Sequence, residues 1–177
     1  MKTIFWNVDT QYDFMRADGK LYVQGAEAIE GNLEKLTKLA ESKNIQVVNT
    51  ADWHNEKTEE ISQTPNYINT FPEHCMAGTP GAEYVSATKP KDAYKILWDS
   101  KSFNEKQVAN SRNVILYKDK FDVFTGTPHS EEVLRIMNPQ RAIVYGVATN
   151  VCVDFAVKGL LSRGIEVYVV EDAIKEL

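Results

Sequence analysis

Five short runs dense in β-branched and aromatic residues, each separated from the next by enough chain for a crossover, constrain this sequence most. They are TIFWNV at 3–8, IQVVN at 45–49, NVILY at 113–117, AIVYGV at 142–147 and IEVYVV at 165–170. Being apolar on both faces, they read as strands covered by helices on both sides. Residues 26–43 repeat apolar positions at helical period, with Ile29, Leu33, Leu36, Leu39 and Ala40 on one face. A second helix is expected over 129–137, after Thr127-Pro128, and a third over 151–163, ending at Gly164. Strand and helix in alternation imply right-handed crossovers and a parallel sheet. The expected fold is therefore α/β, a doubly wound three-layer sandwich around a mostly parallel central sheet, in a single domain spanning 1–177.

Composition narrows the functional classes. Twenty Lys and Arg against 25 Asp and Glu give a net charge of −5, the wrong sign for a general nucleic-acid or anionic-membrane binder. No apolar run approaches the ~18 residues of a spanning helix. The opening MKTIFWNVDTQYDF is too short in its apolar part for a signal peptide. Cys75 and Cys152 are the only cysteines, too few for a disulfide framework, and the chain reads as cytoplasmic and reduced.

In open parallel sheets ligands bind beyond the carboxyl ends of the strands. Those ends supply Asp9, then Asp52 and His54, then Lys118, and finally Gly146-Val147-Ala148 turning through Thr149-Asn150 to Cys152. A free cysteine is more often a buried core residue than a nucleophile. Cys152, however, falls in the first turn of the expected third helix, where free N–H groups and the dipole lower a thiol's pKa and can hold an oxyanion. Asp9 reads either as a cap or as a general base. Lys118 reads as a solvated strand-end lysine or as a buried cation beside Asp9, with Lys120 its rival. Asp13 is assigned to the following loop, Cys75 to a structural role, and His129 to a surface or capping position. The irregular stretch 52–93 fits neither helix nor strand, and long segments of this kind are usually functional or disordered. It carries Asp52, Trp53, His54, Phe71 and His74. Asp-x-His with a distant His matches a three-ligand metal site with an open position. That pattern alone leaves metal binding and chance placement both open.

VDTQYDF (8–14), TADWH (50–54), FPEHCMAGTPGAE (71–83), KDKFDVF (118–124) and GVATNVCV (146–153) occur in this order over nearly the whole chain. Together they resemble the isochorismatase-like cysteine hydrolase superfamily and, through the third segment, its nicotinamidases and pyrazinamidases. The resemblance implies a catalytic triad of Asp9, Lys118 and Cys152, with Lys118 favoured over Lys120 by its distance from Phe124. It implies metal ligation by Asp52, His54 and His74. It also implies an oxyanion hole from the Ala148 and Cys152 amides beside a cis Val147-Ala148 peptide, and ring packing by Phe14, Phe71 and, less directly, Phe121. The implied cofactor is one divalent transition metal, zinc first, with iron and manganese also suited to the ligand set. The implied reaction is hydrolysis of nicotinamide, or a related carboxamide, to the acid and ammonia through a cysteine thioester. This is a step of NAD salvage performed on a small-molecule substrate, with no nucleic-acid or membrane partner and with homo-oligomers common among relatives. The alternatives are another cysteine hydrolase of the superfamily and a non-catalytic binding protein. Three departures stand out: Phe71 where nicotinamidases usually carry Trp, Asn150 where an acidic residue is common, and a chain closing at VYVVEDAIKEL where relatives continue through a further helix.

Overall fold

The computed structural model describes residues 1–177. Six strands form one sheet: β1 (Thr3–Val8), β2 (Val47–Asp52), β3 (Tyr94–Ile96), β4 (Asn113–Lys118), β5 (Arg141–Val147) and β6 (Glu166–Lys175). Their order is β3-β4-β2-β1-β5-β6, and every pairing is parallel. The chain runs from β1 through β2 to the edge strand β3 and back to β4 on one side, then crosses to β5 and β6 on the other side of β1. The β1/β5 junction is therefore the topological switch point, where the strand ends open a crevice.

Six helices flank the sheet: α1 (Tyr12–Met15), α2 (Glu30–Ser42), α3 (Glu105–Asn110), α4 (Val123–Gly126), α5 (Ser130–Met137) and α6 (Asp154–Ser162). Alternation along each strand feeds two core layers. Ile4, Trp6 and Val8 of β1 pack with Val133, Leu134 and Met137 of α5 and with Ala156 and Leu160 of α6. Phe5, Val47, Tyr145 and Val147 face the other way, against Leu33 and Ala40 of α2. At roughly 1.5–3 kcal/mol for each fully buried large apolar side chain, these two layers are the main stabilising term. No helix is long and apolar enough to cross a membrane.

All five expected strands are present, with corrections. β2 begins two residues late and runs on to Asp52, and β6 extends to Lys175. The edge strand β3 is short enough to carry no periodic signal. The helix expected over 26–43 starts as a 3-10 turn at Ala26–Ile29, and Leu39, placed on its apolar face, is 43% exposed. The helix expected from 151 opens instead with a π turn, Thr149–Val153, before α6. The helix α3, whose Asn104 N-cap side chain accepts from Gln107 N–H, was not expected.

Gly146 shows how tightly the switch point is built. Its φ is +121°, and a Cβ there would lie 2.1 Å from the Val8 carbonyl oxygen on the neighbouring strand. Only glycine combines that dihedral with so close an approach of backbones.

Candidate active site

Strand ends β1, β2, β4 and β5 converge as expected. The chain leaves β1 through Asp9, which adopts φ +47°. Lys118, the last residue of β4, is fully buried, and its Nζ lies 2.9 Å from Asp9 Oδ2 and 3.9 Å from Cys152 Sγ. It also makes a close ion pair with Asp52 Oδ1. One ammonium thus stands between two buried carboxylates and a thiol. Thr50 Oγ1 donates to Asp9 Oδ1 at 2.6 Å. Asp9, Asp52 and Cys152 place their ligand atoms within 4.8 Å of one another.

Electrostatics assigns the protons. Burial pushes the Cys152 thiol well above its ordinary value, with Lys118 opposing. A thiol lowered by the helix N-terminus, as the sequence suggested, is therefore not what the fold provides: desolvation outweighs the turn's N–H groups. Burial likewise raises Asp9, against the pull of Lys118. Burial also opposes charge on Asp52, yet Lys118, His54 and His74 outweigh it and hold this carboxyl well below the usual range. The two carboxylates share a cation but differ in basicity, and Asp9 is the one fit to accept a proton.

Across Asp52 lies the second group. His54 Nε2 and His74 Nε2 lie 3.6 and 3.5 Å from Asp52 Oδ2. The three donor atoms all fall within 4.8 Å of one another, and all three residues are buried. His74 Nδ1 is 2.7 Å from the Pro72 carbonyl, which fixes that nitrogen as the donor and leaves Nε2 as a lone pair. His54 is fully buried, and neither of its ring nitrogens has a hydrogen-bond partner. A buried, unpartnered imidazole is costly unless its lone pair meets a ligand. One carboxylate and two imidazoles with converging lone pairs fit a divalent transition ion of the zinc type.

Polar anchors fix this half of the site. Gln11 is fully buried and ties Asp52 at both its N–H (2.8 Å) and its C=O (2.7 Å), with a third bond to the Ala82 carbonyl. Asp13 belongs to α1 rather than to the loop that follows, and it is buried. Its carboxylate accepts from Cys75 N–H at 2.7 Å and from Lys20 N–H at 3.1 Å, pinning the backbone beside His74.

A cavity opens onto Cys152 and is lined mostly by apolar side chains, among them Phe14, Phe71 and Phe121. Asp52, His74 and Ala148 also face it. Ala148 follows the cis Val147–Ala148 peptide, and its N–H has no backbone acceptor. Sequence reasoning missed Leu21, Val23, Leu177 and Glu60 on the cavity wall. The apolar three carry no residue-type signal. Glu60 sits in the irregular segment, where its Oε1 accepts from Phe121 N–H at 2.6 Å and its Oε2 lies 3.9 Å from His54 Nε2. Burial, and then Asp52, push its carboxyl up to about 8. Lys120 stays outside the site, paired with Glu59 at 3.4 Å on the surface. Cys75 is buried against the Gly81 carbonyl, in keeping with a structural role. His129 takes the N-cap position of α5, though its side chain makes no capping bond, and it is buried rather than at the surface, with Nε2 2.9 Å from the Ser100 carbonyl and Phe103 against its ring.

A family model, the isochorismatase domain, matches residues 3–177. The chain belongs to the isochorismatase family. Within it, this member is 26% identical over 170 residues to the nicotinamidase/pyrazinamidase of Mycobacterium tuberculosis, a match covering 93% of this chain and 82% of that one. Its structure superposes on the Pyrococcus horikoshii pyrazinamidase solved in complex with zinc at a TM-score of 0.78 and 27% identity, covering 99% and 87% of the two chains. It also superposes on the N-carbamoylsarcosine amidase of Thermoplasma acidophilum, at a TM-score of 0.76 and 22% identity over 100% and 86%. This last likeness bears on the isochorismatase fold alone.

Proposed function

We propose that this isochorismatase-family protein is a cytoplasmic amidohydrolase that converts nicotinamide to nicotinate and ammonia, with a role in NAD salvage. One observation carries the reading. The thiol of Cys152 opens onto an aromatic-lined cavity with Asp9 and Lys118 close to it, and Asp52 and His74 of the adjoining carboxylate-imidazole-imidazole set face the same cavity. A flat ring with one carboxamide arm can present the arm to the thiol and the ring to the aromatic wall and the imidazole set. A divalent ion held by Asp52, His54 and His74, zinc first, would act as a Lewis acid that accepts the ring nitrogen. The zinc complex of the pyrazinamidase relative supports this assignment.

The protein's own groups then do the following. Asp9 removes the Cys152 thiol proton, and Sγ attacks the carboxamide carbon. The carbonyl oxygen becomes an oxyanion held by the Ala148 and Cys152 N–H groups, each such donor being worth about 3 kcal/mol. Collapse breaks the C–N bond, and Asp9 returns its proton to the departing nitrogen, which leaves as ammonia. Water, deprotonated by Asp9, cleaves the thioester, and the proton goes back to Sγ. Lys118 neutralises whichever of Asp9 and Cys152 carries the charge. Phe14, Phe71 and Phe121 pack on the ring.

Purified protein is expected to release ammonia from nicotinamide, and Cys152→Ala to release none while still binding the substrate. Turnover by that variant at the wild-type rate would overturn the covalent mechanism. A second reading, another carboxamide on the same machinery, is favoured by the Glu60 carboxyl on the cavity wall, a polar group for which a plain pyridine ring has no use. Comparison of nicotinamide with aliphatic carboxamides and ureido acids as substrates separates the two.

A further inference from the structure

A second cavity, comparable in size to the first, lies on the α2 side of the sheet and shares no residue with the candidate active site. Its floor breaks the apolar layer. Asn7 is in register with Asn49 on β2 and with Tyr145 on β5, so three polar side chains stand in a row across adjacent strands. All three are at most 2% exposed. Polar side chains in a sheet layer are costly unless satisfied. The Asn pair partly satisfies itself, since Asn7 Nδ2 donates to Asn49 Oδ1 at 3.0 Å and Asn7 Oδ1 accepts from Thr10. Tyr145 is different: it lines the cavity, and its hydroxyl makes no hydrogen bond to another group of the protein. Burial raises this phenol well above its ordinary value, so it is a neutral donor.

The rim has a definite sign. Lys89, Lys91 and Arg112 line it against the single carboxylate of Glu41. Glu41 is occupied by Lys91 at 3.1 Å, and Lys89 reaches Glu83 at 3.5 Å. Arg112, half-buried, has no carboxylate within ion-pair reach. A planar fork of donors without a carboxylate partner and a hydroxyl without a protein partner, on the wall of one cavity, suit an oxyanion.

We propose that this cavity is a second ligand site, for a small oxyanion of the phosphate or carboxylate class, held by Arg112 and Tyr145 above the Asn7–Asn49 pair. The test is calorimetric titration of the metal-loaded protein with inorganic phosphate and, separately, with acetate. It is repeated on Arg112→Gln and Tyr145→Phe, each checked for native circular dichroism. Arg112 is at the rim, and the Tyr145 change removes one oxygen, so both variants keep the core intact. Saturable binding of either anion, weakened at least five-fold in both variants, is the expected result. Binding of phosphate alone identifies a phosphorylated ligand, and binding of acetate alone a carboxylate. No saturable binding of either anion by the wild type overturns the proposal. So does equal binding by both variants, which places the anion elsewhere.

Discussion

Lys118 is the residue on which the site turns. It is buried between Asp9 and Asp52, and those two charges raise its own pKa well above the ordinary lysine value in spite of burial. Removing it leaves two buried carboxylates facing each other without a cation. Lys118→Met is therefore expected to cost about 3–5 kcal/mol, the usual penalty for breaking a buried charge cluster, and to abolish turnover. Urea denaturation measures the first effect, and stability equal to wild type would refute it. Thr50 is a gentler probe. Thr50→Val removes the 2.6 Å hydrogen bond to Asp9 and keeps the side-chain shape. At about 1.5–3 kcal/mol for a bond to a charged group, kcat on nicotinamide should fall ten-fold or more with KM unchanged. A change confined to KM would show that Thr50 serves the pocket rather than the base. At this scale the sequence was informative where chemistry dictates residue type, as for Asp9, Asp52, His54, His74, Lys118 and Cys152. It was silent about Glu60 and Leu177, which only the folded chain brings to the wall. It was misleading about the thiol's acidity, because burial is a property of the whole site.

Elements fix these side chains through their ends. β2 and β4 are in register up to Asp52 and Lys118, so neighbouring strands deliver the carboxylate and the amine side by side. The strands were legible because each is an apolar run at least five residues long. β3, at three residues, falls below that threshold, and the π turn before α6 is indistinguishable by period from a first helical turn. The bulged register between Val144 and Gly146 could not be read from composition either. Gly146→Ala tests its role. The added methyl meets the Val8 carbonyl and the residue must keep φ +121°, so stability should fall by more than about 2 kcal/mol. Activity should fall with it, since Ala148 lies two residues on. A variant with a wild-type thermal midpoint would show that the junction yields more easily than its geometry implies.

Over the whole molecule, the site has two sources. The sheet supplies Asp9, Asp52, Lys118 and the turn to Cys152, while the irregular segment after β2 supplies His54, Glu60, Phe71 and His74. Sequence reasoning marked that segment by its lack of period and its ring-bearing residues, but not how it docks. The docking rests on Asp13, in α1, and Gln11, in the turn before it, which bond to Cys75 and Ala82. Incubation with a chelator should lower the thermal midpoint, and zinc, iron or manganese should restore it. The stabilisation is about 2.7 kcal/mol when free ion exceeds the dissociation constant about 100-fold. His74→Ala should show no chelator-dependent shift and a metal content well below one per chain. A normal metal content in that variant would remove His74 from the ligand set.

That division has a consequence for the order in which the protein comes apart. The sheet is held by five parallel ladders, the segment by scattered single bonds such as Cys75 N–H to Asp13 and Phe71 N–H to the Glu60 carbonyl. Local opening is cheapest where backbone bonds are few, so the segment should exchange its amide hydrogens and admit proteases well before the strands do. An ion bound by Asp52 on the one side and His54 and His74 on the other would be a cross-link between the slow half and the fast half. In loop-closure language, it would shorten the free span from the end of β2 to His74 to almost nothing.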